Sequence, residues 1–267
     1  MKAGITPYRQ SFIYYRSWGY GNKVLLCLHG YGENGDSFSI LEQKLQEEFT
    51  LIAIDFPFHG KTQWNEPLAF TADDILAILS LIKKDAQPLF LLGYSMGGRV
   101  ALELLTKFPT KIKSVYLIAP DGLHHNFWHW LATQTFLGNK LFRYTMKNPK
   151  WFFSMMEWGY KLKWINKSIY NFTHYYLDDA TERELLYKRW TTMGKIHPQI
   201  STIKAIIHQH KTPVTLIFGK YDKIILTKNG NALAKGLEDC ITITELNAGH
   251  QLLKETYSAE IIAMFRS

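Results

Sequence analysis

The sequence predicts an α/β protein: a doubly wound, mostly parallel sheet with an inserted helical lid. Three observations predict it. Short apolar runs alternate with helical periodicities, glycine-containing turns follow several of the runs, and one internal stretch breaks the alternation with a different charge and aromatic content. A length of 267 residues suits one large domain or two small ones. Apolar residues at 46% and charged residues at 20% exclude a disordered or fibrous chain.

Taken in order, Phe12–Arg16 reads as an early antiparallel edge strand. The runs KVLLCL (23–28), LIAI (51–54), LFLL (89–92), SVYLIA (114–119), VTLIF (214–218) and ITITEL (241–246) have strand length. Most are largely apolar instead of alternating, as fits strands covered on both faces. Helical patterns fall between them at 39–48, 71–84, 96–108, 227–237 and 256–265. Strand and helix in alternation imply parallel strands joined by crossover helices.

Residues 121–212 interrupt this rhythm. They hold thirteen Lys and Arg against six Asp and Glu, a net of +7, while the remainder holds eighteen against seventeen. They also hold 18 aromatic residues, including Trp128, Trp130, Trp151, Trp158, Trp164 and Trp190. A shift of this kind marks an inserted module. The expected division is a core of 1–120 and 213–267 with a helical lid of 121–212. The insert leaves where an expected strand ends, the edge at which open α/β sheets bind ligands. Its Trp and Phe residues are therefore expected to line an apolar cavity there, with Trp128, Trp151 and Trp158 as candidate substrate-binding residues. Trp151, Met155, Trp158 and Leu162 recur at i, i+4, i+7 and i+11, one apolar helix face. Such a face packs a lid onto a core, walls a pocket for an acyl or aryl group, or meets an anionic membrane surface. The +7 charge reads as a solvated outer face, with attraction of an anionic substrate or lipid as the alternative.

Cys27 and Cys240 are too few for a disulfide scaffold, and the opening MKAGITPYRQ has no apolar leader core. The longest apolar run, residues 75–82, is well short of the roughly 20 residues that span a bilayer. The expected setting is the cytoplasm.

The chemistry concentrates at three turns. Gly93-Tyr94-Ser95-Met96-Gly97 sits between an expected strand and an expected helix, the strand–turn–helix setting of G-x-S-x-G. A serine at so sharp a turn has a strained backbone, and its small neighbours let the two chains pass. Serine hydroxyl needs a base, and imidazole titrates close to neutral pH. His250 follows the last expected strand and Asp222 the one before it. A carboxylate on the second ring nitrogen fixes the tautomer and stabilises the imidazolium. The order Ser95, Asp222, His250, each after a strand, is the order of a catalytic triad on such a sheet. His29-Gly30-Tyr31-Gly32 follows the first parallel strand and Met96 follows the serine, so the backbone N–H groups of Tyr31 and Met96 are the expected oxyanion donors.

Three competing patterns explain less. Residues 30–35 match G-x-G-x-x-G with Asp55 twenty residues later, a dinucleotide fingerprint, but that reading leaves Ser95, Asp222 and His250 without a role. His124, His125 and His129 cluster, with His125 and His129 spaced i, i+4 as zinc ligands can be, yet no third ligand stands at a telling spacing. Basic residues interleaved with aromatics suit nucleic acid, but no recognition motif accompanies them. Neither metal nor cofactor is expected, and the expected partner is a small-molecule substrate.

HGYG at 29–32, Asp55 with FPFHG, GYSMGG at 93–98, FGKYD at 218–222 and AGH at 248–250 together resemble the lidded α/β-hydrolases, such as bacterial esterases and carbon–carbon hydrolases. The resemblance covers about residue 23 to the end apart from the insert. It implies a serine hydrolase acting on a carboxylic ester or thioester, with Asp55 structural. GYSMGGRVAL at 93–102 is also similar to a menaquinone-pathway lyase that uses the triad as a base, and there the arginine matching Arg99 holds an anionic substrate. A non-catalytic ligand-binding relative is the third reading; the complete triad argues against it.

Overall fold

The computed structural model describes residues 2–82, 88–124, 126–164, 170 and 177–266. One sheet has the order β1-β2-β4-β3-β5-β6-β7-β8. The strands are β1 Lys2–Tyr8, β2 Ser11–Trp18, β3 Lys23–Leu28, β4 Phe49–Ile54, β5 Leu89–Tyr94, β6 Ile112–Ile118, β7 Val214–Gly219 and β8 Ile241–Leu246. From β3 to β8 the strands run parallel, and β1 and β2 are antiparallel to their neighbours. The described helices are α1 Glu42–Leu45, α2 Ala72–Leu81, α3 Met96–Lys107, α4 Phe127–Gln134, α5 Phe136–Lys147, α6 Lys150–Lys161, α7 Ala180–Thr192, α8 Ile200–His210, α9 Thr227–Ala234 and α10 Ser258–Ala263.

The six expected parallel strands are present, and for the central ones the reason is visible in their burial. β4 and β7 are buried at every position and β3 at all but its first, so no polar face is needed. Leu25, Cys27, Leu51, Ala53, Leu92, Ile118 and Ile217 pack with Phe38, Leu41, Phe49 and Ile261 in one continuous core. Burial pushes the Cys27 thiol well above its usual range. The expected edge strand, by contrast, is not at the edge. β1 lies outside β2, paired from Lys2 opposite Ser17 to Tyr8 opposite Ser11. Only Thr6 and Tyr8 of β1 are buried, so it carries no apolar run by which to recognise it. The helix expected at 39–48 begins as a 3-10 turn, Gly35–Leu41, before α1. α2 starts at a capping box: Thr71 Oγ1 accepts from Asp74 N–H, and the Asp74 carboxylate accepts from Thr71 N–H. Residues 83 and 84 of that expected helix lie outside the described residues.

Strand order places the functional turns. After β3 the chain moves to β4 on one side, then returns to β5 on the other. The loops leaving the C-terminal ends of β3 and β5 therefore diverge at a switch point, where open α/β sheets form their crevice.

The chain divides into two compact units. The first comprises Met1–Glu66, Thr71–His125 and Ile196–Ser267 and contains the sheet. Within it α8 packs against α3. The second comprises Pro67–Phe70 and Asn126–Lys195. Its α4, α5 and α7 pack together through polar and aromatic contacts. Asn139 Nδ2 donates to Ala132 O and Thr191 Oγ1, and Tyr187 O–H donates to Asn139 Oδ1. Phe142 meets Tyr187 and Trp190 at ring-centroid distances of 5.5 and 5.6 Å. Arg183 donates to the carbonyls of Met146, Leu177 and Asp178, closing the end of α5. Among the described residues no helix is long and apolar enough to cross a membrane.

Candidate active site

The turn between β5 and α3 is built by sterics. Ser95 has φ 50° and ψ −117°, a left-sided conformation that costs a non-glycine residue free energy. Its backbone is tied on both sides: Ser95 N–H donates to Ile118 O at 3.0 Å, and Ser95 O accepts from Gly98 N–H and Asp121 N–H. Glycine is required at two neighbours. A Cβ on Gly93 would stand 2.6 Å from Gly97 O, and one on Gly97 would overlap the Leu28 carbonyl. With no side chains there, α3 can lie against β3 and lift the serine hydroxyl above the end of the sheet.

Backbone bonds bring the other two turns together. Lys220 N–H donates to Leu246 O and Tyr221 N–H to Ala248 O, joining the loops after β7 and β8. Asp222 is buried, and its Oδ1 accepts from the N–H groups of Ile224 and Ile225 at 2.7 and 3.0 Å. Its Oδ2 lies 2.7 Å from His250 Nδ1, and His250 Nε2 lies 3.0 Å from Ser95 Oγ. An aspartate acts only as acceptor, so Nδ1 carries the proton and Nε2 is left to accept one from serine. The three side chains that the sequence order singles out thus form one hydrogen-bonded chain.

The loop after β3 lies against this chain. A Cβ on Gly30 would sit 3.4 Å from Ser95 Cβ and 3.2 Å from the Tyr94 ring. Fully buried His29 fixes the loop: its Nε2 accepts from Phe56 N–H, so its Nδ1–H donates to Gly30 O. Tyr31 follows in the turn. Met96 is the first residue of α3, and the first N–H groups of a helix have no intrahelical acceptor. The helix dipole favours an anion at that position.

Two residues to which the sequence assigns no role also belong here. Tyr94 O–H donates to His250 O at 3.3 Å and its ring stacks on the imidazole at 5.9 Å, holding the histidine loop. Burial, with the Glu33 and Asp222 charges, pushes its hydroxyl far above the ordinary range. Glu33 lies in the loop after β3 with its N–H bonded to Gly30 O. Its Oε2 is buried, and burial raises its carboxyl above the usual range despite favourable contacts with Ser37 and His250. Neither is visible as a motif, because each acts through neighbours distant in sequence or through a loop of no fixed pattern.

The remaining candidates are placed as follows. Arg99 sits one turn into α3, buried, with Nε 3.5 Å from the Asp121 carboxylate. Trp128 lies on α4, and Trp151 and Trp158 on α6, all three exposed on the second unit. Asp55 is fully buried. Its Oδ1 accepts from Arg16 Nη1 and Gly35 N–H, and its Oδ2 from Lys61 N–H. Both oxygens serve the fold, and the dinucleotide pattern at 30–35 thereby loses its ribose-binding carboxylate. His129 packs on Trp190 at 5.0 Å, and His125 lies outside the described residues.

Comparison with known proteins agrees with this architecture. The family described as alpha/beta hydrolase fold matches residues 23–154. The chain is 29% identical over 107 residues to the pimeloyl-[acyl-carrier protein] methyl ester esterase of Cronobacter sakazakii, covering 40% of each chain. It is 36% identical over 99 residues to the protein of the same name from Neisseria meningitidis serogroup B, covering 36% of each. The matched stretches thus span well under half the length of these relatives. Among solved structures, MGS-M2, an α/β hydrolase enzyme from a Medee basin deep-sea metagenome library, superposes with a TM-score of 0.68 at 18% identity, covering 99% of this chain and 98% of that one. An eight-stranded, mostly parallel sheet, a strained serine turn after β5 and these matches together show that the chain has the α/β-hydrolase fold.

Proposed function

We propose that the chain is a serine hydrolase that cleaves a carboxylic ester or thioester bearing an apolar acyl or aryl group, through Ser95, His250 and Asp222. The hydrogen-bonded chain from Ser95 Oγ to His250 Nε2 and from His250 Nδ1 to Asp222 carries the proposal. His250 Nε2 takes the hydroxyl proton as Ser95 Oγ attacks the carbonyl carbon. The developing oxyanion is received by the backbone N–H groups of Met96 and Tyr31. Imidazolium then protonates the departing alcohol or thiol, leaving an acyl-enzyme on Ser95. A water molecule, deprotonated by the same nitrogen, attacks the acyl group and regenerates the serine. Residues 121–212 enter this proposal as an inserted helical module. The esterase names of the two curated relatives support the ester reading. The lyase reading needs Arg99 for an anionic substrate, and the nearby Asp121 carboxylate favours the hydrolase.

The test combines a fluorophosphonate probe with a panel of esters and thioesters of increasing acyl length. Wild-type protein should be labelled and should turn over esters. Ser95→Ala and His250→Ala should lose labelling and several orders of magnitude in rate. Full labelling of Ser95→Ala would overturn the assignment.

A further inference from the structure

The helical unit leaves an unusual amount of apolar surface bare. Among the described residues, twelve of the nineteen exposed large hydrophobic side chains fall between Phe127 and Trp164. On α5, Leu137, Leu141 and Tyr144 recur at i, i+4 and i+7 with exposures of 76%, 55% and 55%. On α6, Trp151, Met155, Trp158 and the adjoining Leu162 repeat that spacing with 40%, 48%, 60% and 43%. Each helix already buries residues elsewhere: Thr145 and Met146 on α5, Met156 and Gly159 on α6. Each therefore carries a second, apolar face left exposed by the other described residues, and apolar side chains lined up in this way mark an interaction site.

Within the stretch that carries these faces the charges are nearly all of one sign, with Glu184 of α7 acting on Lys147 from outside it. Residues 127–164 hold Lys140, Arg143, Lys147, Lys150, Lys161 and Lys163 against a single acid, Glu157, which is paired with Lys161 at 2.8 Å. By helical spacing, Lys140 and Lys147 flank the stripe on α5, and Lys150 and Lys161 flank the one on α6. Lysine stems can lie along apolar surface while their heads reach outward. Indole and phenol rings suit the boundary between headgroups and acyl chains.

We propose that these faces of α5 and α6 dock on an anionic lipid surface. The combination of Trp, Leu and Met on one face with lysines at its margin is that of helices lying in a bilayer interface. A second copy of the chain would set this cationic surface against itself, and like charges brought together are unfavourable. Anionic headgroups supply the countercharge, and the acyl chains beneath them an apolar layer for the indoles. The inference does not depend on the hydrolase reading, and its test reads binding, not turnover.

The test is co-sedimentation of the full chain with vesicles of phosphatidylcholine alone and of an equimolar mixture with phosphatidylglycerol. Binding is expected to the mixed vesicles, with a blue shift of tryptophan emission. It should fall at about 0.5 M salt, where the screening length drops to roughly 4 Å. The variants Leu137→Ser/Leu141→Ser/Tyr144→Ser and Trp151→Ser/Met155→Ser/Trp158→Ser should each weaken it by about tenfold or more. Circular dichroism checks that they fold. Should either fail, Lys140→Glu/Lys147→Glu/Lys150→Glu changes only exposed charges and should weaken binding to mixed vesicles equally. No binding to mixed vesicles, or binding unchanged in the variants that fold, overturns the proposal. A concentration-dependent dimer in sedimentation velocity, abolished by the same variants and without vesicle binding, overturns it and gives the face to a second copy.

Discussion

Replacing Asp222 with asparagine tests the proposed triad through a detail that only the geometry supplies. Oδ1 of Asp222 accepts two backbone N–H groups, from Ile224 at 2.7 Å and Ile225 at 3.0 Å. An asparagine must keep its carbonyl oxygen on that side, because an amide NH2 there would face two donors. Its NH2 is then directed at His250 Nδ1, where the aspartate oxygen stood at 2.7 Å. The ring responds by moving its proton to Nε2, the nitrogen 3.0 Å from Ser95 Oγ. An Nε2–H cannot accept the serine proton, so the base is lost while the fold is kept. In a serine protease with the same triad that exchange costs about 10⁴ in rate, or about 5.5 kcal/mol of transition-state stabilisation, and a loss of that order is expected here. The assay is kcat/KM on p-nitrophenyl acetate at neutral pH, with Ser95→Ala as the floor and Asp222→Ala as the comparison. Asp222→Ala leaves the tautomer unconstrained, so it should be no worse than Asp222→Asn. An Asp222→Asn enzyme within tenfold of wild type would refute the reasoning, as would Asp222→Ala far slower than Asp222→Asn.

Gly97→Ala should fold less stably by about 1–3 kcal/mol and lose about 10² in kcat, because the new Cβ overlaps the Leu28 carbonyl and must push α3 away from β3; thermal melting and turnover check this, and unchanged values for both would contradict it. Asp55→Asn should cost about 3–5 kcal/mol in urea unfolding, since it leaves the buried Arg16 guanidinium without its fully buried countercharge; a loss under about 1 kcal/mol would show that Asp36 alone suffices. Glu33 ionises with difficulty because it is buried, so its folded-state carboxyl titrates above the ordinary Glu value of 4.5. A raised carboxyl adds stability at low pH that is lost as pH rises from the unfolded value through the folded one. The melting temperature of Glu33→Gln should therefore gain on wild type as pH climbs from 4.5 toward neutrality, and a constant difference would exclude the burial argument.

Sequence alone determined what rests on local pattern. The apolar runs of β3, β4 and β7 became parallel strands because a strand covered on both faces must be largely apolar, and that can be read without knowing its neighbours. The serine turn was legible for the same reason: Gly93 and Gly97 are demanded by close approaches at a single bend. Ser95, Asp222 and His250 could be picked out from their places after strands, since a parallel sheet delivers all its C-terminal loops to one edge. What tertiary structure decided depends on segments that meet from afar. β1 has too little buried surface to declare itself and exists as a strand because β2 offers its free edge. The hydrogen bond from Tyr94 to the His250 carbonyl joins residues 156 positions apart, and Glu33 owes its displaced titration to burial that no spacing encodes. The stripe of Trp151, Met155 and Trp158 shows the limit most clearly. Periodicity announces an apolar face, but whether that face is covered depends on whether another element packs against it, and here it stands half exposed.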